Sequence, residues 1–209
     1  MPPAETIIDG GHARVVVTAH GLVGITVSVV ERSSGIERGT VRLPYPSAGY
    51  GGHQLVVSPS GRYLAMFLYS GQAEVGYELF ELIPELVHTA SLPYVFGEGD
   101  APVFSPDERA LVMVWESYFA WWSEDTLAER GLAREVEYGV CAVQELPDGP
   151  IVRIPVRARV PAGWRPEQSS WTAPTELRFV ARDRLSLRTP WGSTPQIPFP
   201  LRQHPIVIE

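Results

Sequence analysis

Short runs of β-branched and aromatic residues, often alternating with polar ones, recur along the chain between clusters of Pro, Gly and Ser. A period of two predicts strands, and the short gaps predict antiparallel neighbours. One unit reads as four strands, at 53–57, 62–69, 75–82 and 86–92, with turns at 58–61, 70–74 and 83–85. Its first turn, Ser58-Pro59-Ser60-Gly61, returns 47 positions later as Ser105-Pro106-Asp107-Glu108, again between apolar runs. A period of about 40–50 residues with several strands per copy is the sequence signature of blade repeats.

Three further units follow from that register. The third has strands at 102–104, 110–115, 138–146 and 151–156. The fourth has 168–172, a turn at Ala173-Pro174-Thr175-Glu176, then 177–180, 185–188 and 196–201. Pro174 falls 68 residues after Pro106, and the excess over 47 is the length of segment 117–137, which predicts an insertion there. The first unit shows 14–18, 25–30 and 39–43 but no clear inner strand. The carboxy-terminal run 205–209 is the expected closing strand for it, with Ala4 to Ile8 as the competing donor. The units span about 12–46, 53–92, 101–156 and 168–201 of a single domain.

The repeated Ser-Pro turn between first and second strands resembles that of the WD-repeat and related bacterial β-propeller families. Gly-His occurs only at Gly11-His12 and Gly52-His53, and Trp-Asp does not occur, so the likeness lies in the blade pattern. The resemblance implies an all-β fold: a small β-propeller of about four four-stranded antiparallel blades, closed by one chain or by two chains as a homodimer. Propellers serve many unrelated functions, so function has to come from a site.

Composition narrows the classes. The formal charge of -7 argues against a general nucleic-acid binder. The balance is uneven, with 6 Arg against 16 acidic residues over 1–129 and 11 Arg against 8 over 130–209. The longest apolar stretch, 15–30, is broken by glycines and reads as two strands, not a membrane span. The single Cys141 excludes an internal disulfide, and with no secretory signal at the amino terminus it suggests a cytoplasmic setting.

In an up-and-down blade alternate turns lie at opposite ends. The short turns at 58–61, 105–108 and 173–176 should share one face, and the long segments 44–52, 93–101, 117–137 and 157–167 the other. Binding residues concentrate on long loops of a rigid scaffold, so the loop-rich face is the candidate functional surface. Within 117–137, Thr126 and Glu129 fit a capping box and Leu127 to Glu135 a short helix. Tyr118, Phe119, Trp121 and Trp122 either form a platform for a partner or pack the insertion against the blades. Tyr50 and His53, in Tyr50-Gly51-Gly52-His53, are further binding candidates or a plain turn between units.

The histidines show no metal-ligand spacing, no nucleophile elbow occurs, and no cofactor motif is present. Glu116, Glu124 and Asp125 are the candidate acid/base set. The leading expectation is a non-catalytic module engaging a protein partner, followed by a carbohydrate or small-molecule binder, then a hydrolase using those loop carboxylates.

Overall fold

The structure, a computed structural model, describes residues 4–7, 13–19, 24–43, 52–70, 74–83, 85–116, 134–162, 164, 174–201 and 205–208. The described residues form strands and turns and contain no helix. The chain divides into two compact units, Met1–Val95 and Phe96–Glu209.

The first unit holds two four-stranded sheets. One is β1 (Ala4–Ile7), β2 (Ala13–Ala19), β3 (Ile25–Glu31) and β4 (Glu37–Leu43), each paired with the next in chain order. The missing strand comes from the competing donor, Ala4 to Ile8: β1 is antiparallel to β2 with Ala4 opposite Val17. The second is β5 (Gly52–Val57), β6 (Tyr63–Tyr69), β7 (Glu74–Glu81) and β8 (Val87–Phe96). Alternation fixes what each strand buries: Val15, Val17, Ile25, Val27 and Val29 of the first sheet share a core with Leu64, Met66, Leu68 and Phe80 of the second.

In the second unit, β10 (Val103–Phe104), β11 (Ala110–Glu116), β12 (Arg134–Glu145) and β13 (Ile151–Val160) form a sheet. The short β9 (Glu98–Gly99) pairs with the far end of β11. Segments expected as loops, 93–101 and 157–167, therefore contribute strand at 93–96, 98–99 and 157–160. The alternation of Arg157, Ala158, Arg159 and Val160 continues the exposed and buried faces of β13, so the ladder runs on. Arg134 and Glu135 lie in β12, which removes the end of the expected helix over 127–135; residues 117–133 are outside the described residues.

The carboxy-terminal strand lies elsewhere than expected. Strand β17 (Ile206–Ile208) adds to β13 in parallel, with Ile206 opposite Val156, and not to the first sheet. The last sheet has three strands, β14 (Thr175–Ala181), β15 (Arg184–Arg188) and β16 (Gln196–Pro198). The amide of Phe199 points back to the Asp183 carbonyl at 2.7 Å, so the alternate positions 196, 198 and 200 face outward. Two of these are Pro, without an N–H, and a fourth strand has little to pair with there.

The register of the fourth unit is corrected too. Thr175 starts β14 opposite Arg188 instead of sitting in a turn. The turn between β14 and β15 carries Arg182, which meets Asp107 of the repeated turn at 3.6 Å. At the other end the Glu176 amide donates to Asp100 at 2.6 Å. Strand β14 therefore runs beside β10, and 174–176 lies at the end opposite 105–108. Expected strand 168–172 is outside the described residues.

The repeated turn keeps the same backbone frame in both copies. Ser58 and Ser105 each donate their amide five residues ahead, to the carbonyls of Tyr63 and Ala110 at 2.9 and 2.8 Å. Their hydroxyls accept from the amides of the same residues at 3.1 and 3.0 Å. Gly61 and Glu108 occupy the left-handed position at φ of 78° and 54°.

Candidate functional site

The insertion leaves the scaffold at Glu116 and rejoins it at Arg134, so the ends of β11 and β12 define what the structure shows of the predicted site. Along β11 the residues facing the core are Val112, Val114 and then Glu116, a carboxylate in an apolar row, 1 % exposed. Both flanking strands approach it through glycine. Gly139 stands opposite Glu116 on β12, where a Cβ would fall 2.0 Å from the Trp115 carbonyl oxygen. On the other side Gly97, at φ 149°, has room for a Cβ only 2.1 Å from the Glu116 carbonyl oxygen.

Glu98 on β9 is the cross-strand neighbour of Glu116. Directly opposed residues share a face with Cβ atoms about 4.5–5.5 Å apart, so the two side chains leave the sheet from neighbouring positions. Burial pushes the Glu98 carboxyl above the usual range. Tyr138 stands in the bulge between Glu137 and Gly139, which turns its ring into the core, fully buried. Burial, and then the charge of Glu116, raise its phenol well above the ordinary value and keep it neutral.

Two tryptophans extend this cluster. Trp191 meets Tyr138 edge-on at 5.9 Å between ring centroids, and Trp164 meets Trp191 at 5.7 Å in the same way. Trp191 is fixed by a tight loop in which the Thr189 amide donates to the Ser193 carbonyl at 2.9 Å and the Ser193 amide to the Thr189 hydroxyl at 3.0 Å. Its indole Nε1 is buried and finds no acceptor among the described residues. Glu116 and the described loop 189–195 thus come to one end of this unit, with Glu98, Tyr138, Trp164 and Trp191 around them. Two open grooves, of about 340 and 210 Å³, lie along Phe199, Pro200 and Leu201.

The sequence-predicted residues divide sharply. Glu116 is placed, and it is buried, not on a solvated loop. Tyr50, Tyr118, Phe119, Trp121, Trp122, Glu124 and Asp125 are outside the described residues. His53 is on β5 of the first unit, half-buried, with burial holding its imidazole below the usual value. Glu98 and Tyr138 escaped the sequence reading. The alternation of glycine and acid in Gly97-Glu98-Gly99-Asp100 was the available signal, since glycine beside a charged residue marks close backbone approach. Among the described residues no three His, Cys, Asp or Glu side chains gather as metal ligands.

No protein-family model matches the chain, and no curated protein does. Solved structures similar to it include the periplasmic gluconolactonase PpgL of Pseudomonas aeruginosa, at 16 % identity over 93 % of this chain and 52 % of that one, with a TM-score of 0.46. Hydrazine synthase of Kuenenia stuttgartiensis matches at 14 % identity over 88 % of this chain and 49 % of its own, TM-score 0.47. The β-propeller domain of the trilobed protease of Pyrococcus furiosus matches at 10 % identity over 88 % and 52 %, TM-score 0.38. The chain spans about half the length of these structures. At TM-scores below 0.5 the likenesses carry no weight on what the chain does.

Proposed function

We propose that the chain is a propeller-type binding module that engages a protein partner through the loop-rich end of its second unit. The observation that carries this reading is the partly exposed pair Trp164 and Trp191, packed over the buried Tyr138 near Glu116, the residue after which the segment bearing Tyr118, Phe119, Trp121 and Trp122 begins. Fixed aromatics lose little entropy on contact and dominate protein interfaces. The Ser105 turn, bonded through its own hydroxyl, holds the opposite end of this unit as scaffold.

The test is capture of a defined partner from the source cells, compared between the wild type and W121A/W122A. Loss of the partner with unchanged melting supports the proposal; retention by the double variant removes it. A second reading is favoured by one observation, the pairing of Glu98 with Glu116 on neighbouring strands. Two carboxyl groups in unlike environments are the usual equipment of acid and base catalysis. That reading predicts turnover of a chromogenic glycoside or ester that E98Q and E116Q each abolish, and it falls if the wild type turns over neither class.

A further inference from the structure

The last sheet has one face in the core and one outside it. Leu177, Leu185, Leu187 and Ile197 point inward. By the period of two, the other face of β14 and β15 carries Arg178, Arg184 and Arg188, all exposed. Arg178 stands opposite Ser186, and Arg184 and Arg188 are two residues to either side of that serine on β15. At about 3.3 Å per residue the two β15 arginines start about 13 Å apart with Arg178 between them.

Little acid offsets them. Arg188 reaches Glu176 at 3.1 Å. Arg184 bonds only the neutral Gln196 amide, at 3.3 Å, and Arg178 meets no acidic side chain among the described residues. Like charges on neighbouring strands destabilise a sheet, so three guanidinium groups on one small face are poised for an anion. Their planar forks suit carboxylates.

We propose that this face binds an extended acidic segment of a partner protein, with Glu or Asp at alternate positions. Carboxylates on every second residue of a strand repeat at about 6.6 Å, half the span from Arg184 to Arg188. A nucleic acid fits less well, because the face shows no aromatic side chain among its described residues for base stacking. The site is separate from the aromatic cluster and stands or falls apart from it.

Fluorescence anisotropy of the whole chain with a labelled (Glu-Ser)₄ peptide at low salt tests the proposal. Saturable binding is expected, weakened at least about tenfold in R178E/R184E. R153E, which reverses an exposed arginine on β13, and W121A/W122A should bind as the wild type does. Absence of saturable binding, equal affinity in R178E/R184E, an equal loss in R153E, or tighter binding of a short single-stranded RNA would each overturn it.

Discussion

Ser105→Ala isolates what the repeated turn contributes. Ser105 is fully buried, and its hydroxyl accepts from the amides of Ala110 at 3.0 Å and Arg109 at 3.1 Å while donating to Asp107 at 2.8 Å. The Arg109 amide keeps a weak second acceptor in Asp107 at 3.4 Å. Ala110, buried, keeps no acceptor of that kind. One orphaned buried donor costs about 1–3 kcal/mol, so the expected loss is about 2 kcal/mol. Cys141 provides the assay. It is buried in the same unit, and burial pushes its thiol up to about 12, so it reacts only when the unit opens. A loss of about 2 kcal/mol multiplies the open population, and the rate of thiol labelling at neutral pH, about 30-fold. The Asp107 carboxyl, held below its usual range first by the Ser105 hydroxyl, should titrate higher in the variant. Labelling accelerated less than about threefold, where about 0.7 kcal/mol is the ceiling, would refute the idea that the hydroxyl holds this turn.

Gly139→Ala places a Cβ 2.0 Å from the Trp115 carbonyl oxygen, a backbone atom that cannot step aside, and should cost upwards of about 3 kcal/mol in urea unfolding of the second unit. Glu98→Gln should stabilise the protein slightly at pH 7 and have no effect below about pH 4. The folded carboxyl titrates above its unfolded value, so the native state holds the proton longer and stability is lost as pH rises through that window; thermal melting across pH 3–8 reads it. Tyr138 stays neutral in the folded chain while the unfolded phenol ionises near pH 10, so stability should fall as pH rises above about 10. Tyr138→Phe should flatten that alkaline limb in a denaturation series, and an unchanged limb would remove the phenol as its cause.

Local chemistry was legible in the sequence. Alternation placed most strands, and the Ser-Pro turns at 58–61 and 105–108 formed as read because their bonds lie within six residues of one another. Cys141 was recognisable as a buried strand residue from the apolar run around it. Even at 173–176 the local signal was sound: Glu176, two residues after Pro174, takes the left-handed conformation at φ 55°, as Gly61 and Glu108 do after Pro59 and Pro106.

What that proline could not say is which strand it began. Asp100 and Asp107, both remote from it in sequence, set β14 beside β10, and its hairpin with β15 puts the turn at Arg182. The same holds for β1 and β17: both are runs of three or four residues, and only the open edges of β2 and β13 decide which of them each completes. The candidate site follows the same division. Glu116 stood out by its neighbours in sequence, while Glu98 and Tyr138 became part of the site only when strand pairing and a bulge set them beside it. Turns and alternation are dictated within a few residues; partners across a sheet are chosen by which edges and apolar faces are left to bury, and that is settled only when the whole unit packs.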